Sequence, residues 1–223
     1  MAWFACLGSG GGGSSEEPIF SKTTIADNSS EATSFTFDED YHDYDFVAIT
    51  FKNTNTDDES VTIVTPSMLD AAFSVALRFT LNFAQTDVYA TYSESVSGGD
   101  ITWTKTNSRT CNVVKVEGIS CTNKTVSETE IYSASALSGT GLAITSQDSL
   151  FEFDYLFILC NSSDRTEVVA STTFFPMKYY SNLTPERAYI QADRYNVTPI
   201  RITITENDMS AFQYLYVVGI KFS

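Results

Sequence analysis

The chain has 223 residues and a formal net charge of -15, so repulsion from phosphate excludes the usual nucleic-acid-binding classes. Hydrophobic residues make up 43% of the chain and charged residues 18%, which is enough apolar material for a packed core and excludes a disordered protein. Aromatic residues reach 13%, with Tyr and Phe far more frequent than Trp, and this composition favours pleated strands.

The chain begins with an apolar heptapeptide, and a Gly/Ser-rich run follows at 8–15. Because Trp and Phe side chains gain free energy on leaving water, we expect Trp3, Phe4 and Leu7 to dock into a partner, with the Gly/Ser run as a flexible leash. The alternative is a disordered start. The heptapeptide has no basic region and is too short for a signal peptide, so we expect assembly in a cytoplasm. No stretch approaches 18 apolar residues, and we expect no membrane insertion.

Apolar residues alternate with polar ones along much of the chain, which predicts half-buried strands. In chain order, the predicted strands lie around Phe35 and Phe37, at 46–51, at 73–83, around Ile101 and Trp103, at 200–204 and at 214–220. The runs 46–51 and 214–220 are apolar at successive positions and predict central strands covered on both faces. Helix is minor, with one turn predicted at 68–72.

Polar runs rich in Asn, Asp, Ser and Gly separate these strands at 53–58, 97–100, 161–164 and 206–208. Short strands at this spacing predict an all-β chain of antiparallel β-sandwiches.

An internal duplication is the most informative feature of the sequence. The residues from Ile101 to Thr122 match those from Ile202 to Ser223 without a gap, with six identities in 22 positions and the same apolar phase. A second window places the run starting at Asp45 over the run starting at Asp154. We therefore expect an anchor and linker at 1–18, a first β-sandwich domain at 19–122 and a second one at 123–223.

The duplication also interprets the cysteines. Cys111 aligns with Phe212, Cys121 with Phe222 and Cys160 with Phe51, so each Cys is expected to act as a small buried hydrophobe. A Cys111–Cys121 disulfide is the alternative.

The catalytic inventory of the sequence is poor. His42 is the single histidine, no nucleophile motif accompanies it, and no phosphate-binding loop is present. We therefore expect no enzyme activity, no cofactor and no bound metal. Two alternatives stay open: a calcium site in the acidic run 38–45, and glycoside hydrolysis by a pair of carboxylates.

Tyrosines in the middle of each copy are the candidate ligand-binding residues. Tyr89 and Tyr92 precede a Ser/Gly-rich turn, and Tyr179 and Tyr180 precede Asn182. A flat ring offers an apolar face to a sugar, and nearby amide and hydroxyl groups supply hydrogen bonds. The alternative is that these tyrosines pack in the core or against another subunit.

The apolar tag, the Gly/Ser leash and the Ser/Thr/Tyr-rich β-domains that end in the strand 214–222 together resemble the small structural proteins of tailed bacteriophages, in particular tail or head fibre proteins and receptor-binding tips. The resemblance implies jelly-roll-like β-sandwich modules and often a homotrimer. It also implies attachment to other virion proteins through the N-terminus and binding of host cell-surface glycans through the C-terminal domain. Two short tandem domains without a fibrous shaft depart from the long-fibre pattern.

We therefore expect a virion protein, assembled in the host cytoplasm, that acts in host attachment as a tail fibre or tip protein. A capsid head fibre or decoration protein without receptor binding is one alternative, and a carbohydrate-active depolymerase is another.

Overall fold

The computed structural model describes residues 17–74, 77–80, 89–135, 142–145, 149–162, 172–176, 190–192, 195–198, 201–204 and 212–223. The prediction of an all-β chain is confirmed, because the described residues form sixteen strands and one α-helix. The strands of the first half are β1 (Phe20–Asp27), β2 (Ser34–Thr36), β3 (Phe46–Asn53), β4 (Glu59–Val64), β5 (Leu77–Thr80), β6 (Tyr89–Ser97), β7 (Asp100–Lys105) and β8 (Cys111–Cys121). Those of the second half are β9 (Val126–Ser135), β10 (Leu142–Thr145), β11 (Tyr155–Ser162), β12 (Thr172–Pro176), β13 (Ile190–Ala192), β14 (Tyr195–Thr198), β15 (Arg201–Ile204) and β16 (Phe212–Phe222).

The strands form four antiparallel sheets of four strands each, two in each half of the chain. Sheet I has the order β1-β8-β3-β4 and sheet II the order β2-β7-β6-β5. In the second half, sheet III has the order β9-β16-β11-β12 and sheet IV the order β10-β15-β14-β13. Adding eight to every strand number of the first half gives the second half, so the same strand order occurs twice.

The duplication extends to the register of the central strands. In sheet I, Phe46 pairs with Ile119 and Val47 with Gly118. In sheet III, Tyr155 pairs with Ile220 and Leu156 with Gly219. A short 3₁₀ turn precedes the central strand in both halves, at Tyr41–Asp43 and at Leu150–Glu152. The two sequence windows that suggested the repeat therefore occupy equivalent places in the two halves.

An aromatic residue and an aspartate lead into the central strand of each half. The Tyr44 ring packs over Gly118, and the Phe153 ring packs over Gly219. The Asp45 carboxylate accepts a hydrogen bond from the Cys121 N–H at 2.7 Å, and the Asp154 carboxylate accepts one from the Phe222 N–H at 2.8 Å. Only glycine leaves room for a ring this close to the strand.

Residues of both halves pack together in one apolar cluster, the shared core, while a further set of buried apolar residues of the second half lies outside it. The rings of Phe46 and Phe157 stack with centroids 5.9 Å apart. The ring centroids of Phe20 and Phe222 lie 5.8 Å apart. Strands β4 and β5 of the first half contact β12 and β11 of the second. As predicted, the run 46–51 is covered on both faces, since every residue in it is buried.

The single α-helix among the described residues, α1 (Pro66–Phe73), corrects the predicted strand at 73–83. The Thr65 side chain accepts a hydrogen bond from the Met68 N–H, and Pro66 occupies the first turn. These are strong helix-start signals, and they extend the predicted single turn to two. Phe73 therefore ends a helix, and β5 begins only at Leu77, while 81–88 lie outside the described residues.

Candidate functional site

The acidic run 38–45 and helix α1 meet around the single histidine. The side chain of Asp40 caps the 3₁₀ turn by accepting a hydrogen bond from the His42 N–H at 2.9 Å. The same carboxylate lies 2.6 Å from His42 Nδ1. On the opposite side of the ring, His42 Nε2 lies 3.0 Å from Asp70 Oδ1. The imidazole therefore bridges the acidic run and α1.

Two carboxylates set the protonation of this bridge. Partial burial lowers the pKa of His42, but the hydrogen bonds and charges of Asp40 and Asp70 outweigh it, and the pKa is raised. The backbone N–H of His42 lowers the pKa of Asp40 against partial desolvation. Because both ring nitrogens face carboxylate oxygens, the geometry favours the charged imidazolium, which donates from both nitrogens.

Tyr41 extends the network into the core. Its ring is fully buried and stacks on the His42 ring with centroids 4.2 Å apart. Its hydroxyl lies 3.0 Å from Asp70 Oδ1 and 3.0 Å from Glu94 Oε2. Burial, followed by the two carboxylates, raises the pKa of Tyr41. The phenol therefore stays protonated and is the hydrogen-bond donor to Asp70 and Glu94.

Trp103 completes the network from strand β7. Its indole N–H donates a hydrogen bond of 3.0 Å to Glu94 Oε2, and the indole itself is fully buried. We call the set Asp40, Tyr41, His42, Asp70, Glu94 and Trp103 the His42 network. It joins the acidic run, α1 and sheet II, so its first role is to hold three elements together. Sequence reasoning missed Asp70, Glu94 and Trp103 as partners of this histidine.

Three of the five carboxylates considered for calcium face protein donors. Asp45 accepts from the Cys121 N–H, Glu39 accepts from the Tyr44 hydroxyl, and Asp40 is engaged by His42. In the part of the chain that the structure describes, no group of three or more His, Cys, Asp or Glu side chains is arranged to hold a metal ion.

Of the predicted ligand-binding tyrosines, the structure places Tyr92 in the core. The ring is fully buried, and its hydroxyl accepts a hydrogen bond of 2.8 Å from the Val113 N–H, which connects sheet II to sheet I. Burial raises the pKa of Tyr92 to about 12. The ring has no solvent-exposed face for a ligand. The alternative prediction, that this tyrosine packs in the core, is therefore the correct one for Tyr92.

The other predicted site residues fall wholly or partly outside the described part of the chain. Tyr89 is the first residue of β6, and its side chain lies outside the described part of the chain. Tyr179, Tyr180 and Asn182 lie outside the described residues, as do the anchor residues Trp3, Phe4 and Leu7.

The described cysteines are free thiols. Cys111 is fully buried between the sheets, and burial raises its pKa to about 12. Cys121 is half-buried in the last position of β8. Their positions in β8 match those of Phe212 and Phe222 in β16, as the duplication predicted. The alternative prediction is wrong, because Cys111 and Cys121 form no disulfide.

Comparisons with known proteins give no relative. No protein-family model matches the chain, no curated protein matches it, and no solved structure matches it. Across the described ranges, no helix is both long enough and apolar enough to cross a lipid bilayer.

Proposed function

We propose that the chain is a structural virion protein of a tailed phage, anchored by its N-terminal segment, that presents β-domains for attachment to the host surface as a tail fibre or tip protein. The observation that carries the proposal is the repeat: one eight-stranded unit occurs twice, and the two copies meet in a common apolar cluster. Such a body presents two copies of one β-unit side by side after the N-terminal segment.

Within this proposal each half is a β-sandwich with jelly-roll-like crossings. In the first half, the Tyr92 hydroxyl connects the two sheets, and the chain passes from sheet I to sheet II and back at β1, β2 and β3. Strands β3 and β4 then form a hairpin, while β5, β6 and β7 form a meander. The unit therefore combines jelly-roll-like crossings with two local pairings, and we propose 19–122 and 123–223 as the two domains.

The anchor is the part of the proposal that a deletion tests directly. Removal of residues 1–15 takes away no residue of β1 or of the described core, so we expect the truncated protein to keep its unfolding temperature and to fail to join particles. A matched full-length variant, Trp3→Ala with Phe4→Ala, should show the same loss. Normal incorporation of either protein into purified particles would show that the N-terminal segment is not the anchor.

The location and assembly state need separate readouts. Antibody labelling of particles in the electron microscope should place the protein at the tail tip, whereas labelling of the capsid would select the head fibre or decoration alternative. Light scattering on the full chain tests the expected homotrimer.

The depolymerase alternative is tested at the His42 network, where the Tyr41 hydroxyl lies within 3.0 Å of both Asp70 and Glu94. Release of reducing ends from a polysaccharide, lost in Asp70→Asn, would replace the attachment proposal with an enzyme that uses acid pairs.

A further inference from the structure

Helix α1 belongs to the first half of the chain but packs on both halves. It contacts β5 and β6 of sheet II, and it contacts β11 and β16 of sheet III. Its residues Met68, Leu69 and Ala72 are fully buried. In its first turn, the Ser67 hydroxyl donates a hydrogen bond to the Glu128 carboxylate on β9 of sheet III. A change in the position of α1 therefore changes the contact between the two halves.

A single oxygen atom of α1 contacts the acidic run. Asp70 Oδ1 lies 3.0 Å from His42 Nε2 and 3.0 Å from the Tyr41 hydroxyl. On the other side of the ring, Asp40 Oδ1 lies 2.6 Å from His42 Nδ1. The ring of His42 therefore faces one carboxylate of its own turn and one of α1, while Glu94 on β6 shares the Tyr41 hydroxyl with Asp70.

The two carboxylates differ in how firmly they are held against the ring. Asp40 also accepts a hydrogen bond of 2.9 Å from the His42 N–H, so it cannot move away from Nδ1 without breaking the cap of the 3₁₀ turn. Asp70 lies on a different element, its side chain is 53% exposed, and it keeps the Tyr41 hydroxyl as a donor when the ring contact is lost.

This difference decides which proton leaves the charged ring. A neutral imidazole keeps one N–H. The nearer and more firmly held carboxylate is that of Asp40, and its attraction keeps the remaining proton on Nδ1. The unprotonated Nε2 then faces Asp70 Oδ1 with a lone pair, and these two atoms repel each other. Deprotonation therefore removes the contact with α1 and leaves the contact within the turn.

We propose that His42 is a proton-controlled latch on α1, in which loss of the Nε2 proton releases Asp70 and makes local opening of the helix from sheets II and III more frequent. Because the pKa of His42 is raised, the latch is closed below the ordinary histidine pKa of about 6.5. It opens as the pH rises through the folded value. The inference goes beyond the proposed function and does not depend on it.

Nuclear magnetic resonance of the full chain with ¹⁵N-labelled histidine tests the position of the proton. His42 is the single histidine of the chain, so its ring signals are assigned without further experiments. We expect both ring nitrogens to be protonated at pH 5.5 and only Nδ1 to be protonated above the folded pKa. A neutral ring that carries its proton on Nε2 would overturn the proposal, because deprotonation would then break the contact with Asp40.

Hydrogen exchange of the full chain tests the effect on α1. The protection factor is the slowing of exchange relative to an unfolded chain at the same pH, and the amides of β8 serve as the internal reference. From pH 5.5 to pH 8.0, we expect the ratio of α1 to β8 protection factors to fall about two- to fivefold, the range for a partly exposed ion pair. An unchanged ratio would overturn the proposal.

Two variants assign the change to the latch. In His42→Gln the side chain does not titrate, so the ratio should be the same at both pH values. Asp40→Asn keeps an oxygen for the cap but removes the charge at Nδ1, so the neutral ring should carry its proton on Nε2 and the ratio should stay high at pH 8.0. The same fall in His42→Gln as in the unmodified chain would assign the effect to another group and overturn the latch.

Discussion

The two halves of the molecule use one backbone plan with different surfaces. On sheet III, the face with Phe157, Leu159, Tyr216 and Val218 is buried in the shared core, where α1 of the first half contacts β11 and β16. The equivalent positions on sheet I, matched by register, are Ala48, Thr50, Lys115 and Glu117.

The two sheets differ in side-chain polarity on this face because a neighbouring element covers the face of sheet III. The Glu117 carboxylate lies 3.3 Å from the Lys115 ammonium and 3.6 Å from that of Lys22, and all three side chains are partly exposed. The Lys115 and Glu117 side chains keep part of their hydration although their strand partners Thr50 and Ala48 are buried. Tyr216 and Val218, in contrast, have a neighbouring element to pack against. The polarity of these side chains therefore follows the burial of each face and not the position within the repeat.

Substitution of one equivalent residue in each half should give the largest difference in stability between the halves. Val218→Glu places a carboxylate where the side chain is fully buried, and we expect a loss of about 4 kcal/mol in the free energy of unfolding. Glu117→Val, the matched change on sheet I, removes partly exposed ion pairs and should cost less than about 1 kcal/mol. Urea unfolding of both variants measures the difference, and equal losses would contradict it.

The glycine positions test what the halves share. Gly118→Ala and Gly219→Ala each place a Cβ inside contact distance of an aromatic ring, that of Tyr44 or Phe153. We expect each variant to lose about 1–3 kcal/mol of stability because the ring must move. Tyr44→Ser combined with Gly118→Ala serves as the control, since the second change should add little once the ring is gone. A large loss at only one glycine would show that the repeat is not structurally equivalent.

The His42 network supplies the smallest effect, and its counterpart turn in the second half, Leu150–Glu152, has no histidine. Because the folded pKa of His42 is raised, its bridge adds stability below the unfolded pKa of about 6.5. That stability is lost as the pH rises through the folded value. The carboxylates at the ring are Asp40 on its own segment and Asp70 on α1, and Glu94 on β6 joins them through the Tyr41 hydroxyl.

Solvent screening limits this bridge, since the His42 side chain is 44% exposed, and we expect no more than about 1 kcal/mol. Urea midpoints at pH 5.5 and pH 8.0 measure it, with a higher midpoint at pH 5.5. The gain should shrink in His42→Gln, whereas the control Thr145→Val should keep it. The same gain in His42→Gln would assign the pH dependence to other groups.

Sequence alone predicted much of this fold because apolar periodicity is a local signal. The doubly buried run 46–51 and the matched strands β7 and β15 follow directly from it. The helix was underestimated because the alternation that starts at Phe73 resembles a strand, while the Thr65-Pro66 start signal was available in the sequence.

The candidate site was harder to predict, because its contacts join residues far apart in the chain. Tyr41 meets Asp70 and Glu94 only after α1 and sheet II have packed, and no spacing rule reports that meeting. The burial of Tyr92 is similar: its place in an alternating strand fits either face, and the contact with Val113 decides which.

The ring contact between Phe20 and Phe222 brings the beginning of β1 and the end of β16 to one corner of the molecule. The order of the two halves along the chain is therefore interchangeable in principle. A circular permutant that starts at Thr125 and runs from Ser223 through a short spacer into Ile19 should refold with the same core. Such a protein would carry its free ends at the junction between the halves, next to the place where Asn123 contacts Glu17 and Ile19.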